Sequence, residues 1–241
     1  MVKKKFSSHI IAFVFKLLCT LVIIGVVGVI TWRLISSGAP SSMKALLPNS
    51  RLCEAYEKND GKLEMITQKY DTITRAEHNS GYFSVTSAVF VKTADQAQII
   101  FRYNNSTLEH VREDMGLSET PARDSEIFDV TLVVVRDLSP DNTEDNTDDS
   151  ENISRERIHA SESFLSEQKN LYNFRKFFFD GVVMDHTVIA VYVDIYYAED
   201  IDYTKDSYGT LRIYHKDAED KSVSLSNKDR KVIEGWLEDN K

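Results

Sequence analysis

The stretch TVIAVYVDIYYA, Thr187–Ala198, decides the fold class. Ile189, Val191, Val193, Ile195 and Tyr197 fall on one face of it, and Tyr192, Asp194 and Tyr196 on the other. Successive side chains of a strand point to opposite faces, so this period of two predicts a half-buried β-strand. Tyr208–His215 repeats the stripe with Leu211 and Ile213, and the two stretches are expected to pair as a hairpin.

The same period recurs upstream. Phe83–Val91 carries Phe83, Val85, Val89 and Val91 at odd positions, and Ile99, Phe101 and Tyr103 continue the style. In Ile127–Arg136, Phe128, Val130, Leu132 and Val134 share a face. Asn173–Phe179 is aromatic and β-prone, and Lys62–Tyr70 adds a further strand. Two helices interrupt the strands. Ser106-x-x-Glu109 has capping-box spacing, Leu108, Val111 and Met115 follow at helical intervals, and Gly116 stands where a left-handed residue closes a helix. A last helix starts at Ser226, with Asp229 three residues on and an apolar stripe of Val232, Ile233, Trp236 and Leu237. That stripe is expected to pack on a sheet. Many strands without βαβ alternation predict a mainly β fold, an antiparallel β-sandwich of immunoglobulin-like architecture with short helices. An α+β antiparallel sheet is the alternative.

The N-terminal end obeys a different rule. Twelve of the nineteen residues from Leu17 to Ile35 are Leu, Ile or Val. Nineteen helical residues cover about 28 Å, close to the hydrocarbon thickness of a bilayer. The stretch predicts a transmembrane signal-anchor helix over 10–35, with Leu17, Ile24, Gly25 and Trp32 in the anchor and Lys16 at its boundary. Trp32 and Arg33 suit the interface at the far end. Lys3, Lys4, Lys5 and Lys16 precede the span with no acid among them, which predicts a cytoplasmic N-terminus (residues 1–9) and a domain outside. A cleaved signal peptide fits less well, because its apolar region is shorter and Pro40 follows the small residues 36–39.

Charge divides the chain the same way. Residues 1–35 hold five basic side chains and no acid, leaving 24 basic and 38 acidic side chains beyond them, a net −14. Such a domain repels anionic polymers, so nucleic acid is not an expected partner. Residues 36–62, broken by Pro40 and Pro48, read as a stalk with a short helix from Arg51 to Lys58 capped by Ser50. The β-rich domain spans 63–225, and 226–241 is the C-terminal amphipathic helix. Within the domain, 137–157 reads as an acidic disordered loop around DNTEDNTDDSE, Asp141–Glu151, which has no apolar residue to bury.

The motifs of common chemistries are missing. No two of the six histidines lie within five residues of each other, and there is no H-E-x-x-H, no P-loop and no G-x-S-x-G. Neither Asp141–Glu151 nor the connection carrying Asp200, Asp202 and Asp206 has the EF-hand pattern. No catalytic residue, metal or cofactor is therefore expected. Cys53, the one cysteine outside the span, is a candidate for cross-linking two stalks. The positive surface signal is aromatic. The outward faces of the predicted hairpin carry Tyr192, Tyr196, Arg212 and Tyr214, residue types that favour interfaces. The expected function is a single-pass membrane protein whose partners are the lipid bilayer and another envelope protein, bound through this β-domain. Glycan or cell-wall binding by the tyrosines is the alternative, and a membrane-tethered hydrolase the second.

Overall fold

In a computed structural model the chain is described at residues 3–68, 83–114, 116–122, 128–139, 152–161, 164–197, 207 and 209–240. It divides into two units, Met1–Gly38 and Ala39–Lys241.

The first unit is one helix, α1 (Lys3–Ser37). Its segment Ile11–Trp32, 22 residues, is long and apolar enough to cross a membrane, and none of it is buried against protein. That segment begins earlier than the window from Leu17 and takes in Lys16. Lys16 lies about one and a half turns from the segment's start.

The second unit is mainly β. It holds α2 (Ser50–Lys58), β1 (Met65–Gln68), β2 (Ser84–Val91), β3 (Gln96–Asn104), α3 (Asn105–Asp114), β4 (Phe128–Asp137), β5 (Ile153–His159), β6 (Leu165–Lys169), β7 (Tyr172–Asp180), β8 (Val188–Tyr197), β9 (Gly209–His215), β10 (Asp220–Val223) and α4 (Asn227–Asp239). The strands form two antiparallel sheets, ordered β10-β1-β2-β3-β7-β6 and β5-β4-β8-β9. One apolar cluster draws on both: Phe90, Phe101, Phe177 and Phe179 from the first, Leu132, Val193, Ile195 and Leu211 from the second. Phe101 and Phe177 stack with ring centroids 5.6 Å apart. Leu108 and Val111 of α3 join this cluster.

Most sequence-predicted strands lie where periodicity puts them, but bulges break the alternation within them. Between Val85 and Ser87 the β2–β3 register shifts, so Ala88 and Phe90 face the core instead of Ser87 and Val89. In β8 the register shifts against β4 between Val135 and Arg136, and Val188, not Ile189, enters the core. Three strands escaped sequence reading: β5, β6 and β10. All lie at sheet edges, where polar side chains are tolerated and the apolar alternation is lost. Residues 153–157 are therefore strand rather than part of a disordered loop, while Asp141–Glu151 itself lies outside the described residues.

The helix ends carry two corrections. Asn49, not Ser50, caps α2, its side chain accepting from the Leu52 N–H at 2.9 Å. At α3, Asn104 accepts from the Thr107 N–H at 3.1 Å and takes the place expected of Ser106. At α4 the expected capping box forms, with Ser226 and Asp229 exchanging hydrogen bonds. Ile233 is buried, and Trp236 and Leu237 pack beside it with residues of α2 and β1.

The segment read as a stalk is folded from Ala39 onward. Met43, Ala45 and Leu46 are buried. Leu47 exchanges two hydrogen bonds with the Gln98 side chain on β3, at 2.8 and 2.9 Å. Lys176 on β7 donates to the carbonyls of Met43 (3.2 Å) and Ala45. Between Pro40 and Pro48 the chain makes one short 3-10 helix, Ser42–Lys44, and side chains of the sheet bond further backbone groups of the segment.

Candidate functional site

The candidate surface is the face of the four-stranded sheet turned away from the core. Strand pairing fixes its layout. Val130, Leu132 and Val134 of β4 point into the core, so Asp129, Thr131, Val133 and Val135 point the other way. Pairing then sets Arg157, Val133, Tyr192 and Arg212 in one row across the four strands. His159, Thr131, Asp194 and Thr210 form the next row, and Asp129 lies opposite Tyr196.

Of the four residues expected to build a platform, three share this face. Tyr192 and Arg212 are direct cross-strand neighbours, both half-buried. Tyr196 lies further along β8 and is only 5% exposed, with Arg157 Nη2 3.4 Å from its hydroxyl. Tyr214 is not on the face. The β8–β9 register shifts between Val191 and Tyr192, which makes Tyr214 pair with inward-facing Val191. Its ring meets Phe90 edge-on at 5.7 Å and packs against the core. A bulge at Ile213 is the cause: the extra residue turns both Ile213 and Tyr214 inward.

The face is polar but fixed. Asp194 accepts a hydrogen bond from Thr210 Oγ1 at 2.8 Å, and Thr210 in turn lies 2.6 Å from Ser207 Oγ. Burial pushes the Asp194 carboxyl above its ordinary value, against the opposing pull of Thr210, Arg157 and Arg155. Burial, followed by the neighbouring Asp194 charge, pushes the Tyr196 phenol up. Thr131, fully buried, has an Oγ1 without a hydrogen-bond partner among the described residues. Such an orphan is uncommon in a folded protein.

β5 contributes what the sequence reading missed. Ile153, Arg155, Arg157 and His159 share this face, opposite Ile158, which packs on the core. Their signal is present as S-R-E-R-I-H, arginines two apart, but it begins three residues after the end of the acidic run and carries one apolar residue. Three guanidinium groups on the face of a net-acidic domain offer forked donors suited to carboxylate or phosphate oxygens.

Elsewhere the candidates resolve as structure. Cys53 is 0% exposed, and burial pushes its thiol up to about 11. It is not displayed for cross-linking. Among the described residues no three His, Cys, Asp or Glu side chains gather to hold a metal ion. Asp200, Asp202 and Asp206 lie outside the described residues. No family model matches the chain, and no curated protein or solved structure matches it.

Proposed function

We propose that this chain is a single-pass membrane protein, its N-terminus cytoplasmic and its β-domain, an immunoglobulin-like sandwich, held outside as a protein-binding module of the cell envelope. The observation that carries the binding reading is the Tyr192–Arg212 pair, side by side and accessible on the outer face of the four-stranded sheet. Tyrosine brings contact area with few rotatable bonds, and arginine brings a planar donor fork. Support for the anchor comes from the apolar Ile11–Trp32 segment and the lysines that precede it. Support for the sandwich comes from the core cluster drawn from both sheets. Glycan binding has less behind it, since Tyr214 is turned to the core and Tyr196 is nearly covered.

The test is cross-linking in intact cells. A photoreactive residue replaces Tyr192 in one strain and buried-face Tyr214 in another. A discrete protein adduct from position 192, absent from position 214, supports the reading. Equal capture from both, or none, removes it. Added protease must also cleave a tag at Lys241 without lysis; protection until lysis reverses the orientation.

A further inference from the structure

β5 is an edge strand. It pairs with β4 on one side, and no described strand pairs with its other side. Its residues are largely exposed from Ile153 to His159. An edge strand turns part of its backbone N–H and C=O groups outward, a template for another strand. The side chains on the outer face make the template selective. Ile153, Arg155, Arg157 and His159 recur at every second residue, about 6.7 Å apart at the usual strand rise. An extended partner has the same repeat, so acids at its alternate positions come opposite the arginines. Of the acids on this face, Asp194 stands two strands in from the edge, accepts from Thr210 and attracts Arg157 and Arg155, and Asp129 of β4 lies opposite Tyr196. Glu156 turns to the other face of β5 and pairs with Arg136 at 3.6 Å.

Charge on an edge also prevents like edges from pairing. That role needs no particular sign, and the rest of this domain is strongly acidic. Placing same-sign guanidinium groups on the open strand repels basic strands and a second copy of β5, and accepts acidic ones.

We propose that β5 is a docking edge for an extended, acidic segment of a partner protein, which adds a fifth strand to the sheet with its carboxylates on Arg155 and Arg157. The inference rests on the protein-binding reading and names the chemistry of the partner.

The test uses the full chain in lipid nanodiscs and a displayed library of random octapeptides. Peptides selected on it should carry Asp or Glu at two positions two apart, enriched about tenfold over the input, as two charge-assisted contacts would give. Selection on Arg155→Glu/Arg157→Glu should lose that enrichment and favour Lys or Arg. Arg155→Lys/Arg157→Lys should retain acid selection, showing that the fold survives substitution there. N-methylation of alternate amides in a selected peptide should abolish binding, because it blocks the ladder. Acid enrichment unaltered by the charge reversal, binding that survives N-methylation, or no enrichment overturns the proposal. Binding of dextran sulfate without any peptide enrichment also overturns it and assigns the arginines to an anionic polysaccharide. A cell-derived adduct at position 192 alongside a failed selection leaves the binding function standing and removes only the β5 edge.

Discussion

Lys176 and Asp229 grip the same few residues from two sides. Lys176 Nζ donates to the Met43 and Ala45 carbonyls, and Asp229 Oδ1 accepts from the Leu46 N–H at 2.8 Å. Lys176 is 3% exposed, and Asp229 is buried as well. The Met43 and Ala45 carbonyls and the Leu46 N–H thereby gain partners from distant parts of the chain, beside the short 3-10 helix Ser42–Lys44. The two side chains make this segment part of the folded unit.

Stability should rise with pH through the alkaline range because of Lys176. Burial holds its ammonium down to about 8 from 10.5, the Asp229 charge opposing it. A base with a depressed pKa in the fold binds fewer protons folded than unfolded between those values. The penalty for charging it is therefore full below pH 8 and is relieved as pH climbs toward 10.5. Between pH 7.5 and 9.5 the gain from this residue should be about 2 kcal/mol. Denaturant midpoints of the native chain and Lys176→Met, compared at both pH values in detergent, measure it. A variant whose pH slope equals that of the native chain assigns the slope elsewhere.

Asp229→Ala should cost about 2–4 kcal/mol, since one carboxylate serves both the α4 capping box and the Leu46 amide. The loss should concentrate at the buried segment. Hydrogen exchange at Leu46 and Leu47 is expected to accelerate more than exchange in β4. Uniform acceleration would mean that the contact is only part of a global unfolding.

The two tyrosines of the predicted platform should separate in stability measurements. Tyr214→Ala removes the edge contact with Phe90 and opens a cavity, and should cost about 2–4 kcal/mol. Tyr192→Ala, on the outer face, should cost under about 1 kcal/mol and act on binding instead. Thermal midpoints of the two variants decide this; equal losses contradict the opposite facing of these rings.

Cys53 should react with maleimide at pH 7.5 on the order of 100-fold more slowly in the folded chain than in guanidinium, because its thiol is buried and raised to about 11. Non-reducing gels should show no dimer that Cys53→Ser removes. Rapid labelling of the native chain would place the α2 contact in exchange with an open form.

Periodicity alone carried a good part of this protein. Phe128, Val130, Leu132 and Val134 face the core because a regular strand makes every second residue equivalent, and β4 contains no shift before Val135. Ser226 and Asp229 show their capping box in sequence because its hydrogen bonds are local, three residues apart. The apolar α1 segment is legible for the same reason: its length and composition are properties of the chain itself. What the sequence withheld depends on which strand lies alongside. The bulge that turns Tyr214 onto Phe90 exists only in the register between β8 and β9, and no local pattern announces it. β5 has no apolar alternation to read, since an edge strand buries little, so Arg155 and Arg157 became a face only once β4 was beside them. Residues 39–49 looked like a stalk because their hydrogen-bond partners, Gln98, Lys176 and Asp229, lie some 50 to 180 residues away in the chain. Local interactions wrote the elements into the sequence, and long-range pairing decided which side chains share a surface.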